Sequence, residues 1–191
     1  MTASRLLRLS CALLLAAALP LAAQGRGTLR PLDVPFAATP HAAVAKMLEM
    51  AKVGPEDVVY DLGSGDGRIV IAAVRDFGAQ AGIGVDLDPK RVAEGRENAR
   101  RAGVADRVRF IRGDAFKVDF SEATVLAMYM SPRINAELLP RILKTMKPGS
   151  RVVVFRFPIP GWQPQRTEKI GGQPVRFWVV PDRDAAARLS R

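Results

Sequence analysis

Seven consecutive residues, Asp61-Leu62-Gly63-Ser64-Gly65-Asp66-Gly67, hold the densest chemistry in this chain. Three alternating glycines follow one short apolar run and open into another, a pattern that predicts a strand, a tight turn and a helix start. Glycine lets a ligand approach backbone amides with no Cβ in the way, and the amides at a helix N-terminus are free to receive a polar group. The dinucleotide fingerprint G-x-G-x-x-G sets its third glycine five residues after the first. Here Gly67 comes one place early, and Asp61 stands at the strand end, where it would repel a phosphate. An acid in that position suits a cationic amino group instead. Asp86, at the end of the next apolar run, can accept from both hydroxyls of a ribose. Asp114, in Gly113-Asp114-Ala115, can accept from an adenine amino group. Acids at the ends of buried strands need such partners to offset their desolvation.

The elements that must position these acids follow from periodicity. Thr39-Pro40 reads as an N-cap and first-turn pair, with Val44, Met47, Leu48 and Ala51 on one helical face and Gly54-Pro55 as the stop. Strands are expected at 57–62, 82–87, 108–112, 125–130 and 152–157. Helices are expected at about 66–77 and at 89–102, the second capped by Asp88, while Asp66 is placed to cap the first. Between the last two of those strands lies an apolar helical stretch with Ile134, Leu138, Leu139, Ile142 and Met146, which Pro140 either kinks or splits in two. Such alternation predicts an α/β fold, a mostly parallel sheet with helices on both faces. The ending differs, because residues 166–170, Gly171-Gly172 and 175–180 read as an antiparallel hairpin.

A cationic amine, a ribose and an adenine together describe S-adenosylmethionine, and not NAD. The ordered set Asp61 to Gly67, Gly84-Val85-Asp86, Gly113-Asp114 and the closing hairpin resembles the Rossmann-like class I S-adenosylmethionine-dependent methyltransferases. The resemblance implies a cofactor site built from Asp61, Gly63, Ser64, Gly65, Gly67, Asp86, Leu87, Asp114 and Ala115. Val34-Pro35-Phe36 and the stretch Arg156 to Trp162 (RFPIPGW) are similar to the small archaeal and mitochondrial protein-lysine methyltransferases that modify the adenine nucleotide translocase and the ATP-synthase c-subunit. Those relatives commonly carry tyrosine where this chain has Phe36. The resemblance implies a lysine of a protein as methyl acceptor, in a dry channel for which Tyr129, Phe157 and Trp162 are the candidate walls. Each has a plainer role open to it: Tyr129 as core, Trp162 as packing for the hairpin, the role also expected of Trp178. The Asn/Asp-Pro-Pro-aromatic motif of adenine- and glutamine-modifying relatives is absent from Met128-Tyr129-Met130-Ser131-Pro132. The alternatives are a small-molecule methyltransferase and a non-catalytic binding module of the cell envelope.

The bulk properties bound this reading. With 191 residues, 48% hydrophobic and 25% charged, the chain suits one α/β domain, expected over 34–182 with a linker at 24–33 and a tail at 183–191. The net charge of +10 is scattered, with no basic block and no aromatics interleaved, which argues against nucleic acid as partner. His41 is the sole histidine and the one cysteine, Cys11, is remote from it, so no metal site is expected. Residues 1–23 have the order of a secretory signal: Arg5 and Arg8, an apolar run from Leu9, then Pro20, Ala22 and Ala23. They predict export, with a membrane anchor as the alternative. Export conflicts with a charged cofactor that does not cross a bilayer unaided, unless translation starts nearer Val34 or the domain has lost activity.

Overall fold

Parallel strands need long crossovers, and the helical segments between the apolar runs supply them. In the computed structural model, which describes residues 37–189, the order is α1 (His41–Met50), β1 (Val58–Leu62), α2 (Arg68–Arg75), β2 (Ala81–Asp86), α3 (Pro89–Arg101), β3 (Val108–Arg112), β4 (Val125–Met128), α4 (Pro132–Thr145), β5 (Arg151–Phe155), β6 (Arg166–Ile170), β7 (Gln173–Val179) and α5 (Arg183–Leu189). The signal or anchor expected at 1–23, the linker and Val34-Pro35-Phe36 lie outside the described residues. One sheet of order β3-β2-β1-β4-β5-β7-β6 contains every strand of the described residues. It is parallel from β3 to β5, and β7 pairs antiparallel with both β5 and β6. The expected mostly parallel α/β sheet with a C-terminal antiparallel hairpin is therefore what forms. Gly171 and Gly172, at φ 55° and 77°, make its turn.

Strand alternation sends side chains to two cores. Val59, Val153 and Phe155 pack with α1, α2 and α3 on one face, whereas Tyr60, Leu62, Val152 and Val154 pack with α4 and α5 on the other. Asp61 follows Val59 onto the first face, at the carboxyl end of the central strand. Its cross-strand neighbours are Gly84 and Ala127.

Several boundaries move. The N-cap position of α1 is Pro40 rather than Thr39, without a side-chain cap; Thr39 instead offers its carbonyl to Arg68 Nη1 at 2.8 Å. Asp88 caps α3 as expected, accepting from Lys90 N at 2.8 Å. Pro140 does not split α4, because its ring lies on the exposed side while Ile134, Leu138, Leu139 and Ile142 face the core. There the backbone carbonyl it leaves unpaired can be met by water. β4 ends at Met128 and β5 at Phe155, since Arg156 turns the chain at φ 65°. The expected tail carries α5, and Arg183 Nη1 reaches back to the carbonyls of Leu143 and Lys144 at the C-terminus of α4.

Candidate active site

The turn after β1 is built almost entirely of backbone. Gly63 N and Ser64 N both donate to Val85 O, at 2.8 and 2.9 Å, which hooks the turn onto the end of β2. Gly63, Gly65 and Gly67 have φ of 77°, 53° and 82°, a region where side chains are strained. Gly67 is also the N-cap residue of α2. Gly65 N then donates to Asp86 Oδ2 at 2.8 Å and Asp88 N to Asp86 Oδ1 at 2.9 Å, so each carboxylate oxygen is held by one amide and keeps lone-pair capacity for a diol. Leu87, half-buried, follows directly. Gly113 N donates to Asp86 O at 3.0 Å and brings Asp114 and Ala115 alongside.

Two buried oxygens in this region lack partners. Asp114 Oδ1 accepts from Phe116 N at 2.9 Å, but its Oδ2 has none among the described residues, and neither has Ser64 Oγ. Asp61, 3% exposed, has no described hydrogen bond either. Burial first, and then the charges of Asp86 and Asp66, push its carboxyl up to about 8. An ammonium would relieve that penalty directly. A cleft lined by Ala37, Ala38, Thr39, Asp61, Gly63, Ser64, Asp66, Arg68, Ile69 and Tyr129 opens onto it. These residues fit S-adenosylmethionine: Asp61 for the amino group, Asp86 for the ribose, Asp114 for the adenine amine. A broader groove at the opposite ends of β2 and β3 is lined by Arg96, Arg100, Arg107 and Arg109. Arg96 is spent there on Phe110 O and Arg100 on Glu97, so no comparable unmet group marks it.

Of the three expected aromatic walls, the structure brings two together. Tyr129 stacks on Phe157 at 5.9 Å between centroids and meets Phe155 edge-on at 5.0 Å. Trp162 is not with them. It belongs to the core on the other face, 5.7 Å from Trp178, and its carbonyl accepts from Trp178 Nε1 at 3.0 Å. The chain passes over the carboxyl end of β5 after Phe157, which sequence adjacency does not reveal.

Other contributors, Asp66 apart, carried no local signal. Asn135, fully buried in α4, donates through Nδ2 to Met130 O at 3.2 Å and Pro158 O at 2.9 Å, clamping the segments that follow Tyr129 and Phe157. Met130 lies over the glycine turn: a Cβ built on Gly63 would sit 2.8 Å from its Cε. Asp66 accepts Arg68 N at 3.2 Å and pairs with the same guanidinium that holds Thr39 O, so it fastens the segment before α1 over the cleft. Asn98 Nδ2 donates to Asp66 O at 2.8 Å from α3.

Because Asp61 is protonated below about pH 8 when the site holds no cation, ligand binding must expel a proton there. Affinity for S-adenosylhomocysteine is expected to rise toward pH 8, by at most about tenfold per unit. It should level off near the amine's own pKa of about 8. Titration calorimetry in buffers of different protonation enthalpy measures this; an affinity flat from pH 6 to 8 would place the ammonium elsewhere.

The family model for the ANTKMT methyltransferase domain matches residues 61–166. A protein-lysine N-methyltransferase of Saccharolobus islandicus is 44% identical over 137 residues, 72% of this chain and 85% of that protein. An adenine nucleotide translocase lysine N-methyltransferase of Mus musculus is 35% identical over 148 residues; the match takes 78% of this chain but only 63% of the longer mouse protein. Among solved structures, an RNA methyltransferase from Salinibacter ruber in complex with S-adenosyl-L-homocysteine superposes with a TM-score of 0.75 at 46% identity, covering 76% of this chain and 95% of that one.

Proposed function

This chain belongs to the ANTKMT methyltransferase domain family, as an S-adenosylmethionine-dependent methyltransferase, and we propose that the group it methylates is the side-chain amine of lysine in a protein. The observation that carries the proposal is the 44% identity to the archaeal protein-lysine enzyme over most of that enzyme's length. The missing nucleobase motif after Met128 supports it.

When bound, S-adenosylmethionine supplies a methyl on a sulfonium, open to attack by a neutral amine. Asp61 and Asp114 would hold its two ends and Asp86 its ribose, and orientation of this kind is the larger part of what a protein adds to such a displacement. The lysine must arrive without its proton. With a pKa of about 10.4, it costs roughly 4 to 5 kcal/mol to deprotonate at pH 7. The Tyr129–Phe157 stack, backed by Phe155, gives an apolar wall that disfavours the ammonium and so lowers that cost. Asp61 is committed to the cofactor's amine and is not available as a base.

One observation favours a second reading, RNA as acceptor: the Salinibacter ruber protein is described as an RNA methyltransferase. A cell lysate incubated with methyl-labelled S-adenosylmethionine, with and without the enzyme, separates the two. Label on protein lysines, lost with Asp61→Ala, is expected. Label confined to RNA would install the second reading, and label on small molecules alone would sink both.

A further inference from the structure

Arg156 stands out twice. It is one of two non-glycine residues at positive φ among the described residues, at 65°, and it follows β5 directly at the rim of the aromatic stack. A side chain in the left-handed region costs free energy and persists only where the surroundings over-determine it. Here they do: Arg156 N donates to Pro174 O at 2.7 Å, and Arg156 O accepts from Arg176 Nη1 at 2.6 Å. The hairpin thereby sets the exposed Arg156 guanidinium against the aromatic stack, 5.2 Å from the Phe157 ring centre, with Nη1 donating to Tyr129 Oη at 3.3 Å.

Neither Arg156 nor Arg176 has a carboxylate partner among the described residues. The neighbouring cations do: Arg68 pairs with Asp66, while Lys46 and Arg166 share Glu168. Arg156 thus sets a guanidinium against the two aromatics that wall the acceptor opening, and Arg176 is fastened to its main chain beside it, each with further N–H donors that meet no carboxylate among the described residues. A guanidinium held by its neighbours loses little entropy when it takes a carboxylate through two parallel bonds.

We propose that Arg156 and Arg176 read an acidic side chain flanking the target lysine, making this enzyme selective for lysines next to aspartate or glutamate. The inference rests on the protein-lysine reading above. It makes Arg156 a specificity-determining residue and explains why an L residue stays where glycine would sit without strain.

The probes are synthetic peptides with one lysine in a glycine-serine background, with an aspartate scanned through the flanking positions and an alanine counterpart for each. The wild-type protein should show KM lower by about threefold to tenfold for the best aspartate peptide than for its alanine partner, with kcat little changed. Arg156→Gly should bring that KM ratio to one without lowering Tm, since glycine accepts φ 65° freely. Arg156→Glu should invert the preference toward a lysine-flanked peptide, an outcome a merely structural role would not produce. Equal KM for acidic and neutral peptides in the wild type overturns this inference and leaves the lysine reading standing. No methylation of any lysine peptide, with label appearing on RNA that Arg156→Gly weakens, overturns both and turns the pair toward phosphate.

Discussion

Asp61→Asn is expected to weaken cofactor binding about a hundredfold or more while making the cofactor-free protein more stable. The carboxyl is 3% exposed, ends the central strand, and has no hydrogen-bond partner among the described residues. Burial and the charges of Asp86 and Asp66 raise it from 3.8 to about 8. The sign follows from proton linkage. A carboxyl whose folded pKa lies above its unfolded value holds its proton more tightly when folded, so stability is lost as pH climbs from the unfolded value and is fully lost above about 8. At about 1.36 kcal/mol per unit, the ceiling near pH 8 is roughly 5 kcal/mol, and relaxation around the site reduces the expected gain from asparagine to about 1 to 3 kcal/mol. That corresponds to a Tm rise of roughly 3 to 10 °C in a domain of this size. Breaking the buried pair with the cofactor's ammonium should cost about 3 to 5 kcal/mol, a hundredfold or more in affinity. Calorimetric scans at pH 6 and 8.5 and ligand titration test both halves. A variant that melts lower than the wild type at pH 8.5, or keeps its affinity within about threefold, would show that Asp61 is not the strained anchor described here.

The second large effect is placed on a residue that touches no ligand. Phe110, on β3 and 3% exposed, fills the space under the glycine turn. A Cβ built on Gly67 would lie 2.3 Å from its Cζ, one on Gly84 2.7 Å from its ring, and one on Gly95 2.5 Å from its Cε1. Three glycines from three elements therefore converge on one ring, which seats α2 and α3 against β2 and with them the turn that holds Asp86 and Gly65. Phe110→Ala is expected to destabilise by about 3 to 5 kcal/mol through the cavity it leaves. It should also weaken cofactor binding as the turn loses its floor. Gly95→Ala overpacks the same space and should cost roughly 1 to 3 kcal/mol in the wild type. In a Phe110→Leu background the methyl has room, so the two changes should be markedly non-additive. Denaturant melts of the four proteins of this cycle decide the matter; additive losses would mean that the ring and Gly95 do not share one space.

What the sequence determined by itself was whatever is encoded in neighbouring residues. The glycine spacing after Asp61, the acids closing three apolar runs, the alternation of strand and helix patterns and the Gly171-Gly172 turn each express a local rule of backbone geometry. Together they were sufficient for the parallel sheet and the hairpin, and they singled out the acids that the fold brings to the carboxyl ends of β1, β2 and β3. Asp88 as a cap was legible for the same reason. Tertiary structure alone decided the rest. Trp162 and Phe157 are five residues apart in sequence yet lie on opposite faces, because the chain passes over the carboxyl end of β5 between Phe157 and Ile159. Gly67 looked like a ligand residue from its motif, but the ring of Phe110, arriving from β3, already requires a glycine there. Asn135, Arg68 and Arg176 act through contacts to carbonyls 23, 29 and 20 residues away. No local pattern can report such contacts, since they exist only once strand register and helix packing have set distant segments against one another.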